Sequence, residues 1–226
     1  MNISQWDYYR QAAEKISDQA LQNIHSRKDW QAARPGLLRE YFESMGLHKL
    51  PDYRATNFTD CGVVKSQGFQ MQEIAYQILP DCWASACLFR PDPMPARQVP
   101  AILYTCGHSA IGTYAAQRHA IMWARRGYIC MVFDTIEQND NPGDHHGLFF
   151  DRHPDWVSMG YSAAGGELWN SIRALDVLEQ ADGVDRNKIG VTGNSGGGAH
   201  SFFWRLRMKG LRPWRLPAAW CARNTL

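Results

Sequence analysis

No apolar run in this 226-residue chain approaches the length needed to span a bilayer. The first residues, Met1-Asn2-Ile3-Ser4-Gln5-Trp6-Asp7, lack the basic and apolar regions of a secretory leader, so a cytoplasmic location is expected. The six cysteines, Cys61, Cys82, Cys87, Cys106, Cys130 and Cys221, form no Cys-x-x-Cys pair and no zinc spacing. That excludes the common structural zinc sites and fits a reduced compartment. Internal repeats and low-complexity linkers are absent. A charge excess is absent too, with a formal net charge of +2. The acids are missing from one place in particular: residues 205–226 hold Arg205, Arg207, Lys209, Arg212, Arg215 and Arg223 and no acid, which leaves the rest at −4. Such an end suits nucleic acid or membrane contact, but neither partner is expected.

What is present is enough for a packed core: 45% of residues are hydrophobic, 12% aromatic and 20% charged. Trp6, Tyr9, Ala13, Ile16 and Ala20 recur at helical spacing. Leu37, Leu38, Tyr41, Phe42 and Met45 make a second helical stripe, with Pro35 near its first turn and Gly46 at its end. Residues 1–50 are expected to form a helical N-terminal cap. From Gly68 the pattern changes. Residues 69–79 and 83–89 read as an antiparallel pair of strands joined at Pro80-Asp81. Residues 99–105, 128–133 and 188–192 read as buried strands, with helices over 114–126 and 167–180 between them and a long loop over 134–165. Cys106 and Cys130 belong to apolar runs, where a thiol packs as a small hydrophobe. This alternation predicts an α/β fold, a mostly parallel sheet with helices on both faces. Functional groups then gather at the carboxyl ends of the strands, where Gly107-His108, Asp134 and Ser195 fall.

The sharpest motif is Gly193-Asn194-Ser195-Gly196-Gly197, between a strand and a helix-compatible run. Gly-x-Ser-x-Gly in that context is a nucleophile elbow, with Ser195 as the catalytic nucleophile. The backbone N–H of Gly196 and of His108, in the loop after the 99–105 strand, are the expected oxyanion donors. Asp134 is read as a loop-holding residue, with a surrogate acid as the alternative. Glu167, Trp169 and Asn170 are read as capping and packing residues. Asp144, His145, His146, Asp151 and His153 cluster in the long loop, but the adjacent histidines point apart on a regular element and no zinc spacing is met. No metal is expected, and the loop is assigned to the substrate entrance. In an elbow hydrolase an acid and then a histidine follow the serine. Here no Asp or Glu follows Ser195, and the sole later histidine is His200.

Cys106-Gly107-His108-Ser109, Gly127-Tyr128, Phe133-Asp134 with Glu137-Gln138, and Gly143-Asp144-His145-His146-Gly147 occur in turn. Gly160-Tyr161, Trp169-Asn170-Ser171-Ile172-Arg173-Ala174-Leu175-Asp176, Val184-Asp185 and Thr192 to Gly198 follow. In this order, over about residues 34–203, the set resembles the acetyl-xylan-esterase-like and dienelactone-hydrolase-like α/β-hydrolases. The resemblance implies a serine esterase working through an acyl-enzyme on Ser195, without cofactor, on a small-molecule or carbohydrate ester. The departures are Glu137-Gln138-Asn139-Asp140, where relatives carry a Gly-Gln-Gly-Glu-Arg-like turn, and the region after residue 203.

The family pattern continues with further strands, an Asp and a His. Residues 204–226 supply neither, and are rich in Arg and Trp without periodicity. Permissible codons read one base earlier allow a helix end, a charged turn and an apolar strand. A frameshift or truncation is therefore the expected origin of an atypical basic tail, with a natural short variant or a partner-binding tail as alternatives. On this reading the fold is an incomplete α/β-hydrolase with a partial domain over 51–203. Esterase turnover is expected to be very low. The strand 188–192 becomes an edge through which the chain self-associates. Two other function classes stay open: a non-catalytic fragment or binding protein, and a nucleotide-binding oxidoreductase. Against the last, Ala199 stands where the Thr-Gly-x-x-x-Gly-x-Gly loop needs its final glycine.

Overall fold

The computed structural model describes residues 3–49, 57–143 and 155–207. The chain divides into two compact units, Met1–Glu43 and Ser44–Leu226.

The first unit is helical. Helix α1 spans Gln5–Ala20, and the Ser4 side chain accepts from the Asp7 N–H at its start. The periodic stripe forms the helix as expected, yet its large members are open to solvent: Trp6 is 76% exposed, Tyr9 57% and Ile16 70%. Helix α2 spans Arg27–Ser44 and encloses Pro35. The stripe at Leu37 had suggested a start near the proline. The start lies earlier because Ser26 and Asp29 cap it. The Asp29 N–H donates to Ser26 Oγ, and the His25 N–H donates to the Asp29 carboxylate.

The second unit is built on a six-stranded sheet in the order β1-β2-β3-β5-β4-β6. The strands are β1 Phe58–Ser66, β2 Phe69–Leu79, β3 Cys82–Pro91, β4 Val99–Thr105, β5 Ile129–Phe133 and β6 Val184–Gly193. Pairings β1–β2, β2–β3 and β3–β5 are antiparallel, while β5–β4 and β4–β6 are parallel. The sheet is thus mixed; the parallel arrangement read from the sequence is that of β4, β5 and β6. Strand β1 was not anticipated. It is exposed along its whole length and carries a bulge between Asp60 and Gly62, so it offers no burial period to read. The β2–β3 hairpin turns at Pro80-Asp81, where Asp81 takes φ +58°.

Strands β4 and β5 are buried on both faces, which is why their sequences run apolar without alternation. On one face lies α3, Gly112–Arg125. Its Ala116, Ala120 and Ala124, one turn apart, rest on Phe69, Phe89, Ile102, Tyr104 and Val132. Small side chains on that stripe let the helix sit close to the sheet. A short helix α4, Asp155–Ser158, precedes α5, Ala163–Leu178, which buries Leu168, Ile172, Leu175 and Leu178. The start of α5 precedes the expected 167 because Ser162 supplies the cap, accepting from the Gly165 N–H at 3.0 Å. Ser162 also donates to the Met45 carbonyl at 2.9 Å. Trp169 donates to the Ile78 carbonyl at 2.8 Å, which fixes α5 to β2. Helix α6, Gly196–Arg207, follows β6. Strand β6 ends the sheet among the described residues. No helix among the described residues is long and apolar enough to cross a membrane.

Burial also sets thiol reactivity. It pushes the Cys87 thiol up to about 12, and those of Cys106 and Cys130 further in the same direction. Cys61 is exposed. Only the thiolate alkylates, so iodoacetamide at pH 8 should modify Cys61 quickly and spare Cys106 and Cys130 until denaturant is added. Peptide mass mapping reads the order directly; modification of Cys130 in the native chain at the Cys61 rate would refute the packing.

Candidate functional site

Three strand ends meet here: the loop after β4 carries Gly107-His108, the loop after β5 begins at Asp134, and Asn194-Ser195 join β6 to α6. Ser195 has φ +53°, a left-handed conformation that a side chain makes costly. The turn is closed by the Gly197 N–H donating to the Asn194 carbonyl at 2.9 Å and the Gly198 N–H donating to the Ser195 carbonyl at 2.8 Å. Its glycines are dictated by close approach. A Cβ on Gly193 would overlap the Thr105 hydroxyl, and one on Gly197 would overlap the Thr105 carbonyl. Thr105 Oγ1 donates to the Gly197 carbonyl at 2.6 Å, and Ser201 Oγ donates to the same oxygen at 2.8 Å. The first turn of α6 is thereby tied to the end of β4.

The loop after β4 lies against the elbow. A Cβ on Gly107 would stand 2.8 Å from the Asn194 carbonyl and 3.2 Å from Ser195 Cβ. A Cβ on Gly196 would stand 2.7 to 2.9 Å from three atoms of the His108 ring. So Ser195, Gly196 and His108, singled out in the sequence, are brought together. The peptide between Gly107 and His108 is held from its far side: Gln138 Nε2 donates to the Gly107 carbonyl at 2.9 Å, and Gln138 Oε1 accepts from the Thr135 N–H at 3.1 Å. Carbonyl and N–H of a trans peptide point in opposite directions. Fixing the carbonyl on Gln138 therefore turns the His108 N–H away from Gln138.

Asp134 is the anchor of the β5 loop. Its carboxylate accepts from the Thr113 N–H at 2.7 Å, the Thr113 hydroxyl at 3.0 Å, the Ser85 hydroxyl at 2.8 Å and Asn139 Nδ2 at 2.8 Å. With its acceptor sites so occupied, it holds the loop.

Sequence reasoning missed a buried pair. Glu167 Oε2 meets His200 Nε2, and Glu167 Oε1 lies 3.4 Å from His108 Nε2. The side chains of Glu167 and His200 are 4% and 3% exposed. Glu167 had been read as a capping or packing residue; the cap is Ser162 and the carboxylate turns inward. One signal was available. Glu167, Ser171, Ala174 and Leu178 fall on one face of α5, and all are buried, so an acid interrupts a core stripe. Asp144, His145, His146, Asp151 and His153 lie outside the described residues. Among the described residues no group of three or more His, Cys, Asp or Glu is arranged to hold a metal ion.

Ser195 stores strain that glycine would not. Replacing it by Gly should raise stability by about 1 kcal/mol relative to Ser195→Ala. Gly197→Ala should lower it by about 1 to 3 kcal/mol, because the Thr105 backbone cannot retreat. Urea melts of the three variants test both; a Gly197→Ala midpoint equal to the parent's would contradict the close approach.

The profile of the acetyl xylan esterase (AXE1) family matches residues 44–203. Among curated proteins no match is found. Solved structures supply likenesses of fold. A candidate acetyl xylan esterase from Bacteroides fragilis superimposes with a TM-score of 0.66 at 17% identity, covering 86% of this chain and 57% of that one. A glucuronoyl esterase from Solibacter usitatus gives 0.59 at 18% identity, covering 82% and 58%. Acetyl xylan esterase 1 from Thermoanaerobacterium gives 0.54 at 12% identity, covering 76% and 53%. The chain therefore spans less than two thirds of the length of each.

Proposed function

The chain belongs to the acetyl xylan esterase family, and from that premise we propose that it is a serine ester hydrolase. Ser195 is the nucleophile, and the backbone N–H groups of Gly196 and His108 are the oxyanion donors. The substrate class is an ester carried on a carbohydrate, in keeping with the family and with the acetyl xylan and glucuronoyl esterases that share the fold.

The observation that carries this reading is the left-handed Ser195 at a strand-to-helix turn packed against the β4 loop. A strained, outward-turned serine at the amino end of a helix is what acyl transfer needs. The helix dipole and the Gly196 N–H at the first position of α6 favour a developing negative charge there. In the reaction Ser195 Oγ forms a bond to the ester carbonyl carbon, and the carbonyl oxygen takes up charge. The bond between the acyl carbon and the sugar oxygen then breaks, and that oxygen leaves as the sugar hydroxyl with the proton that Ser195 gave up. Water adds to the acyl-enzyme, one of its protons returns to Ser195 Oγ, and the carboxylic acid is released. Two preorganised N–H donors aimed at the oxyanion lower such a barrier by about 2.7 to 4 kcal/mol each. The proton leaving Ser195 needs an acceptor. His200 does not fit that task, since its Nε2 is turned onto Glu167.

The test is active-site labelling of the full chain with a fluorophosphonate probe. A single, slowly formed adduct is expected on Ser195, absent from Ser195→Ala, and the very low acetate release expected from acetylated xylan should vanish in the same variant. An unmodified Ser195, or labelling that survives Ser195→Ala, would overturn the assignment.

A further inference from the structure

The carboxylate of Glu167 is approached from three elements at once. Helix α6 brings His200 Nε2 to Oε2, the loop after β4 brings His108 Nε2 to 3.4 Å from Oε1, and the loop after β5 brings the Thr135 hydroxyl, donating to Oε1 at 3.5 Å. The carboxylate itself comes from α5. A buried carboxylate left without donors would cost several kcal/mol, so these contacts satisfy it. Satisfaction alone does not explain which donors were chosen. Two are imidazoles that belong to the segments on either side of Ser195. His108 stacks its ring against Gly196, and His200 sits one turn further along the same helix. Nδ1 of His200 is buried without a hydrogen-bond partner among the described residues, so Glu167 is the group that orients that ring.

We propose that Glu167 is a positioning residue for the oxyanion site: by holding the His108 and His200 rings it keeps the β4 loop and the first turns of α6 in register. The backbone N–H groups of His108 and Gly196 then converge on one point. The inference rests on the esterase reading for its consequence, though not for its geometry. Gln138 acts on the same peptide from the other side through the Gly107 carbonyl. Replacing the Glu167 carboxyl by an amide leaves the elbow glycines, Thr105 and Gln138 in place, so it should disturb donor alignment more than folding. Misplacement of about 1 Å at such a site costs on the order of 100-fold in rate.

The experiment compares the full chain with Glu167→Gln by saturation kinetics of fluorophosphonate labelling and by nitrogen-15 spectra of labelled histidine, with His108→Gln and His200→Gln assigning the signals. The expected result has two parts. The maximal labelling rate falls about 100-fold while the half-saturating probe concentration changes little, and the His108 and His200 ring signals both move. A folded Glu167→Gln chain that labels at the parent rate overturns the proposal. If the parent is not labelled on Ser195, the esterase reading has failed. The spectra then decide the clamp alone: unmoved ring signals in Glu167→Gln overturn it, and moved signals uphold it. Should Glu167→Gln not fold, the parent spectrum decides. A protected Nε2 proton on both rings supports the clamp, and free solvent exchange at His108 overturns it.

Discussion

The approach of α6 to the end of β4 is the constraint on which the rest of the site depends. Gly193 and Gly197 have no Cβ because the Thr105 hydroxyl and carbonyl occupy the space. In return Thr105 Oγ1 binds the Gly197 carbonyl at 2.6 Å. This contact brings a helix amino end within a residue's width of the β4 loop. Ser195, between these two glycines, takes a left-handed conformation. Strain at the serine is sustained because the surrounding contacts over-determine it.

Around that contact the polar groups are divided between two acids with different work. Asp134 is saturated by donors from α3, β3 and its own loop, so it shapes the floor of the site. Glu167 is met by imidazoles from the segments flanking the serine, so it links the two walls. Asn141 completes the floor, accepting from the Ser85 N–H at 3.1 Å and donating to the Asp134 carbonyl at 2.7 Å. Buried polar networks of this kind lose little by being inside only when each member finds its partner. Here the partners come from five separate elements, and local sequence cannot specify them.

Much of the fold was legible in advance. Strands β2, β4 and β5 and helices α3 and α5 announced themselves by period and by continuous apolar runs, and their ends fell near the expected places. Helix starts were less legible where a cap, not a stripe, set them, as at Ser26 and Ser162. Strand β1 escaped because it buries nothing: an exposed edge is defined by the ladder to its neighbour.

By itself the sequence determined the elbow. Glycines on both sides of a serine, between a strand and a helix, have one tight geometry to satisfy, and the chain's local chemistry states it. The family also followed from short motifs in order. Tertiary structure alone decided what faces that serine. Glu167, His108 and His200 are far apart along the chain, and each taken singly looks like a cap, a turn or a helix residue. Their meeting depends on the docking of α5 beside α6, which no local pattern records.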